Sequence, residues 1–173
     1  ADVSRLYWFT DLEEAQRVAA SSSKPILSLR LLGRLDEELS CANSRFFRTA
    51  LYGNATVSRA LREHFVLHWS TEREAPIMTI DFRDGRKVSR TVTGNSIHYV
   101  LDAQGHVLDA LPGLYGPEPF LAALADAEAL YTEVAKLGDD AAQERIRAHH
   151  RDRAEGLETR WAEETTRLGY FNL

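Results

Sequence analysis

Cys41 is the only cysteine of the chain, and it stands where the sequence predicts the start of a helix. At a helix N-terminus, free backbone N–H groups and the positive end of the helix dipole favour a thiolate over a thiol. Arg45 follows four residues later on the same helix face, where its guanidinium would add positive charge. The Ser44 hydroxyl would donate a hydrogen bond to the sulfur. This spacing predicts an activated, nucleophilic cysteine.

A single thiol also limits the chemistry that the chain can perform. No disulfide can form within it, and a zinc site built from several cysteines is excluded. Free cysteine is among the residue types most often buried, so an inert core cysteine stays open as an alternative.

The histidine pairs offer little to a metal ion. His64 and His68 are separated by a predicted change from helix to strand. His149 and His150 are adjacent on a predicted helix, where neighbouring side chains point about 100° apart. Neither pair is therefore expected to share a metal.

The composition is that of a globular domain with a sizeable core. The chain has 173 residues, is 44% hydrophobic and 27% charged, and carries a formal net charge of −5. A nucleic-acid partner is not expected, because such surfaces carry a basic excess. No membrane span is expected, since no run approaches the ~18 apolar residues that one requires. The start at Ala1 leaves open a cytoplasmic protein or one exported after removal of a signal peptide.

The order of the predicted elements indicates an α/β fold. Periodicity and capping residues such as Thr56 predict helices over 11–21, 40–52, 56–64, 117–136 and 140–168. Apolar runs predict strands over 26–32, 65–69, 78–82, 87–92, 97–101 and 106–110. Asp84-Gly85, between the third and fourth strands, is a strong hairpin signal. Helices that alternate with strands and then give way to antiparallel hairpins predict a mixed sheet covered by helices.

Short segments in a fixed order resemble the thioredoxin superfamily. The first two are a Lys-Pro-Ile strand start at 24–26 and a Cys-x-x-Ser helix start at 41–44. They are followed by a helix-to-strand pattern at 57–66, a strand region at 96–107 and a closing helix region at 113–124. The resemblance spans residues 8–128 and implies a thioredoxin-like mixed sheet flanked by helices, with an extra β-hairpin and a long C-terminal helix. The implied domains are a thioredoxin-like domain over 1–136 and a C-terminal helical extension over 137–173.

The likeness fails at two positions that matter for chemistry. The family's second cysteine falls on Ser44, and its cis-proline position falls on Ser96 or Asn95. Dithiol–disulfide exchange is therefore not implied, since the chain has no resolving cysteine. In the family arrangement the loop 93–96 faces the cysteine, which implies that Asn95 and Ser96 present polar side chains to a substrate. His98, two residues on, would face the same site as a base or a metal ligand.

The first functional hypothesis is a monothiol redox protein. Cys41 attacks a peroxide, a persulfide or a mixed disulfide. Asn43, Arg45 and Ser96 position the substrate. An external thiol or a second protein resolves the intermediate, because Ser44 cannot do so. No cofactor is expected for this chemistry.

Two alternatives stay open. Loss of the second cysteine and of the cis-proline also fits a redox-inactive thioredoxin-like binding module, with the long charged C-terminal helix and the segment 169–173 docking a protein partner. In the third hypothesis, the missing cis-proline allows Cys41 to ligate copper or iron together with His98. That is a thin ligand set, because a closed metal site usually has about four ligands.

Overall fold

The computed structural model of the chain describes residues 4–169. Its helices are α1 (Leu12–Ser22), α2 (Ala42–Phe46), α3 (Ala55–His64), α4 (Pro117–Val134) and α5 (Asp139–Arg167). Its strands are β1 (Ile26–Leu32), β2 (Val66–Arg73), β3 (Ile77–Asp81), β4 (Lys87–Thr91), β5 (Ser96–Leu101) and β6 (Val107–Pro112). A π-helical turn, Phe47–Leu51, continues α2 directly.

Four strands form one mixed sheet in the order β2-β1-β5-β6. Strand β1 is parallel to β2 and antiparallel to β5, which is in turn antiparallel to β6. The parallel pair requires a crossover connection, and α2 and α3 lie within it. This confirms the predicted class, a mixed α/β sheet with flanking helices, and the sheet order is compatible with a thioredoxin-like arrangement.

The side chains of β1 divide the core between the two faces of this sheet. Leu27, Leu29 and Leu31 join one buried cluster, which also contains Cys41. Ile26 belongs to a second cluster with residues of α1. Successive side chains of a strand point to opposite faces, so the run 26–32 can serve both layers. The cysteine therefore lies in the layer opposite α1.

The predicted extra hairpin is present as a separate two-stranded sheet of β3 and β4. Its turn contains two residues with positive φ, Arg83 at 59° and Gly85 at 92°. Glycine has no Cβ and takes up such a conformation without steric cost. The Asp-Gly signal therefore identified the turn correctly.

The helix predicted over 40–52 is not one continuous α-helix. It widens into the π-helical turn after Phe46, where the Tyr52 N–H bonds to the Phe47 carbonyl at 2.7 Å. The Thr49 hydroxyl donates to the Arg45 carbonyl at 2.8 Å and so competes for an acceptor of the helix backbone. Such competition is a known cause of local departures from α-helical bonding.

The cap of α3 also differs from the prediction. Asn54, rather than Thr56, is the N-cap, and its Oδ1 accepts hydrogen bonds from the N–H groups of Thr56 and Val57. An asparagine side chain reaches the first free N–H groups of a helix as well as a threonine does. The helix consequently begins at Ala55.

The chain divides into two compact units, Ala1–Glu128 and Ala129–Leu173. The predicted domain boundary between 136 and 137 stays a prediction. In the second unit, α5 has no buried residue, and Arg145 pairs with Glu133 at 2.6 Å. No helix within residues 4–169 combines the length and the apolar character needed to cross a membrane. The proposed docking segment 169–173 lies outside the described residues beyond Gly169.

Candidate functional site

Cys41 is the N-cap residue of α2. Its backbone is extended, with φ −60° and ψ 162°, and its Sγ accepts the Ser44 N–H at 3.4 Å. A short side chain at this position satisfies one of the free donors of the first helical turn. The sulfur thus meets the electropositive end of a helical segment that runs without a break from 42 to 51.

The loop 93–96 closes over this helix start. The Cys41 Sγ lies 3.9 Å from the Asn95 carbonyl oxygen, to which the thiol donates. Asn43 Nδ2 donates to Ser96 Oγ at 2.8 Å, so the loop and the first turn of α2 are joined by side chains as well. Cys41, Asn43, Asn95 and Ser96 therefore meet at one place.

Gly94 allows this close packing. A Cβ at position 94 would lie 2.4 Å from Asn43 Oδ1, far inside ordinary contact distance. The neighbouring Ala42 N–H bonds to the Thr93 carbonyl at 3.3 Å. A side chain at position 94 would therefore displace the Asn43 amide from its present place beside the loop.

Ser44 and Arg45 make different contacts from those expected. The backbone N–H of Ser44 reaches the sulfur, whereas its hydroxyl donates to the Arg34 carbonyl at 3.4 Å. The Arg45 Nη1 donates to Thr91 Oγ1 at 3.0 Å and to the Ser40 carbonyl at 3.5 Å. Arg45 therefore braces the hairpin and the loop in front of α2.

The loop 33–40 is fastened at both ends. At one end, Thr71 Oγ1 donates to the Gly33 carbonyl at 2.9 Å. At the other, Thr91 Oγ1 donates to the Ser40 carbonyl at 2.9 Å. Leu35 of this loop is buried in the same core cluster as Cys41. With the loops 33–40 and 93–96 in place, Cys41 is 0% exposed.

His98 lies in the core. Its Nε2 is 2.6 Å from the Tyr52 hydroxyl, and its ring packs between Phe47 and Phe120 at centroid distances of 4.9 and 5.1 Å. Burial lowers the pKa of His98 to about 3 and raises the pKa of Tyr52 well above its usual value. Both groups are therefore uncharged at neutral pH. The hydrogen bond of His98 is with Tyr52 rather than with Cys41, Asn43, Asn95 or Ser96.

A groove of about 230 Å³ adjoins the loop 93–96 on the sheet. Its lining residues are Arg30, Leu31, Leu32, Glu72, Asn95, Ser96, Ile97 and Tyr99. Arg30 pairs with Glu72 at 3.2 Å and lies over the Tyr99 ring at 5.8 Å. Sequence reasoning missed these three side chains. The one available signal was a charged residue, Arg30, inside an otherwise mostly apolar strand.

The third hypothesis, ligation of copper or iron by Cys41 together with His98, needs further ligands near the sulfur. Within residues 4–169, no group of three or more histidine, cysteine, aspartate or glutamate side chains is arranged to hold a metal ion. The Cys41 sulfur makes its hydrogen bonds with a backbone N–H and a backbone carbonyl. Ligation of copper or iron by Cys41 stays a prediction without support from this geometry.

The fold and the site together define an α/β protein with a single cysteine at a helix N-terminus. No protein-family model and no curated protein matches the chain.

Proposed function

We propose that this protein is a thioredoxin-like monothiol protein in which Cys41 is the reacting group. The observation that carries the proposal is the position of the Cys41 sulfur. It caps α2 through the Ser44 N–H at 3.4 Å and lies against the Asn95 carbonyl of the loop 93–96. Thiol exchange needs a sulfur at an electropositive helix end with room for a substrate chain beside it. Opening of a loop would have to supply that room, since Cys41 is 0% exposed and does not line the groove next to Asn95 and Ser96.

Membership in the thioredoxin superfamily is part of the same proposal. It is supported by the β2-β1-β5-β6 order and by the position of Cys41 at the start of the helix that follows β1. It is also supported by the approach of the loop before β5 to the cysteine, through the contact of Asn95 with the sulfur.

The reaction with a small disulfide is a simple exchange. The Cys41 thiolate attacks one sulfur of the disulfide, a new S–S bond forms, and the other sulfur leaves as a thiolate. Ser44 cannot break the resulting mixed disulfide, because it carries no thiol. An external thiolate attacks the substrate sulfur, forms a second small disulfide and regenerates the Cys41 thiolate. No net electrons are left on the protein.

The buried sulfur makes access part of the mechanism. Cys41 is 0% exposed, so one of the loops 33–40 and 93–96 must open before a disulfide can reach it. Local openings of this kind need less free energy than global unfolding when few contacts hold the segment. The loop 33–40 is largely exposed between Leu35 and Ser40, which makes it the segment expected to open.

The test is mixed-disulfide formation followed by intact mass. Native protein is incubated with oxidised glutathione, and we expect one adduct per chain that reduced glutathione removes. The Cys41→Ser variant controls for non-covalent binding and should give no adduct. Small amounts of urea, well below the unfolding transition, should leave the rate nearly unchanged. An adduct that forms only as the protein unfolds would contradict the proposal.

A second candidate function is favoured by the complete burial of Cys41. In a redox-inactive binding module, the cysteine would serve only as a helix cap, with both of its contacts made by backbone groups. Failure of the native protein to form the adduct would leave this candidate in place. The same protein would then keep its fold and its partner when Cys41 is replaced by serine.

A further inference from the structure

Strand β3 is an exposed edge strand with apolar side chains. Within residues 4–169 it pairs with one strand only, β4, and all five of its residues are exposed. Ile77, Met78 and Ile80 are 55%, 50% and 44% exposed. The other strand lies nearer the protein body, since its last residue, Thr91, is buried. Edge strands of this kind are templates for pairing with another chain unless charge or proline protects them.

The direction of the backbone groups of β3 follows from the bonds at its two ends. Phe82 N–H bonds to the Arg86 carbonyl, and Val92 N–H bonds to the Pro76 carbonyl. In an antiparallel pair, hydrogen-bonded and non-hydrogen-bonded positions alternate. The even-numbered residues of β3 therefore bond to β4. The N–H and C=O groups of Ile77, Thr79 and Asp81 point away, towards the free edge.

The pair Thr79–Ser89 fits this assignment. Side chains come closest at non-hydrogen-bonded positions, and the two hydroxyl oxygens are 2.8 Å apart. The backbone of Thr79 is thus left without a strand partner in the middle of the exposed edge.

We propose that a second copy of this chain pairs with this edge, β3 against β3, about a two-fold axis at Thr79. Thr79 then exchanges hydrogen bonds with Thr79 of the second copy, and Ile77 does so with Asp81 of the second copy. The result is a four-stranded sheet that spans two chains. This inference is independent of the chemistry at Cys41.

The apolar face favours a second copy as the occupant. Met78 and Ile80 lie on the face of the hairpin that Thr79 does not share. On that face Val88 of β4 is the cross-strand neighbour of Ile80. In the two-fold register, Met78 of one chain lies beside Ile80 of the other, so the two exposed faces join into one. Apolar side chains that lie beside each other on neighbouring antiparallel strands stabilise the strand pair.

The charges at the ends of β3 are compatible with the same register. Asp81 pairs with Lys87 of its own hairpin at 3.0 Å, and the two-fold axis sets the two Asp81 side chains at opposite ends of the joined strands. Within the paired strands Asp81 lies opposite Ile77 of the other copy, so no like charges are brought opposite each other.

Hydrogen exchange tests the register on the wild-type chain. At high protein concentration we expect slow amide exchange at Thr79 and Asp81, and faster exchange at both positions on dilution. The amides of Met78 and Ile80 bond to β4 and should be slow at both concentrations. Fast exchange of the Thr79 and Asp81 amides at high concentration would overturn the proposal.

A proline variant tests the same contact by mass. Thr79→Pro removes an outward N–H and leaves the bonds to β4, so the folded monomer should survive. We expect its dimer dissociation constant, measured by sedimentation, to rise by about tenfold or more. Thr79→Val loses the same hydroxyl but keeps the N–H, and should dimerise like the wild type. A wild-type monomer at all concentrations, or an equal dimer in folded Thr79→Pro, would contradict the proposal. If Thr79→Pro does not fold, the exchange experiment decides alone.

Discussion

At Cys41 the helix cap and the proposed reacting group are the same side chain. The sulfur accepts the Ser44 N–H and donates to the Asn95 carbonyl, so it has a structural role in every version of the function. A serine hydroxyl can make both contacts, whereas an alanine can make neither. Reactivity and stability can therefore be separated at this one residue.

We predict that Cys41→Ser keeps its stability within about 1 kcal/mol of the wild type, while Cys41→Ala loses about 1 kcal/mol more because the N-cap is gone. Urea unfolding followed by circular dichroism measures both values. Equal losses for the two variants would show that the cap contact of the sulfur contributes nothing.

The buried His98 predicts a pH dependence of stability. Burial lowers its pKa to about 3 in the folded chain, against about 6.5 for an exposed histidine. Below about 6.5 the unfolded chain takes up a proton that the folded chain does not. As the pH is lowered from about 6.5 to about 3, the free energy of unfolding should therefore fall by up to ~1.4 kcal/mol per pH unit. Above about pH 6.5 His98 is neutral in both the folded and the unfolded chain, so it causes no loss of stability there.

The free energy of unfolding is measured against pH for the wild type and two variants, and the slopes are compared. His98→Gln keeps a polar side chain near Tyr52 but cannot titrate, so its slope should be smaller by about one proton's worth. His150→Gln changes an exposed histidine in the same way and serves as the control. A His98→Gln slope equal to that of the wild type would mean that the folded chain protonates His98 freely.

At the scale of elements, the loop 33–40 and the hairpin share one hydroxyl. Thr91 Oγ1 donates to the Ser40 carbonyl and accepts from Arg45, so it ties β4, the loop and α2 together. Removal of that hydroxyl should loosen the loop without a change of side-chain size.

We predict that Thr91→Val reacts faster with a small alkylating reagent at Cys41. The variant loses the hydrogen bond that holds the loop at the Ser40 carbonyl. Such a bond is worth about 1 kcal/mol, which is roughly fivefold in the equilibrium for loop opening. Thr159→Val removes a hydroxyl that donates to the Glu155 carbonyl within α5, and it should leave the rate unchanged. An unchanged rate in Thr91→Val would indicate that another segment controls access to the thiol.

Elements with strong local signals could be predicted from the sequence. The helix before β1, the apolar run of β1 and the Asp-Gly turn of the hairpin are set by neighbouring residues, and all are present. The π-helical turn could not be predicted, since it depends on how Thr49 competes for a backbone carbonyl. Local pattern fixes the element, whereas its exact bonding depends on the packed surroundings.

The candidate site shows the same division. The approach of the loop 93–96 to Cys41 was expected only from the resemblance to the thioredoxin superfamily, and the Cys41 sulfur does contact the Asn95 carbonyl. The directions of Arg45 and His98 did not follow, because long or buried side chains choose partners from distant strands and loops. Arg45 found Thr91, and His98 found Tyr52. Such partners are set by tertiary structure.

At the scale of the whole molecule, the two compact units differ in what stabilises them. The buried core residues of Ala1–Glu128 include both clusters, whereas α5 in Ala129–Leu173 has no buried residue. Helix propensity therefore matters more for α5 than for the helices that pack on the sheet.

Gly156 tests this difference. It lies inside α5, and an added Cβ would meet nothing within 4 Å. We predict that Gly156→Ala raises the melting temperature of the helical signal, since alanine is favoured over glycine by up to about 1 kcal/mol in a helix. The rate of Cys41 alkylation should stay the same. A changed rate would show that α5 influences the loops around the thiol.

The central claim is that Cys41 reacts in the folded chain after a loop opens, and alkylation tests it most directly. The rate is measured with iodoacetamide in the native protein, in the urea-unfolded protein and in Cys41→Ser. We predict a single native reaction, absent from Cys41→Ser, whose rate changes little in urea well below the unfolding transition, because opening of a loop rather than global unfolding exposes the sulfur. A native protein that reacts only on unfolding would contradict the claim.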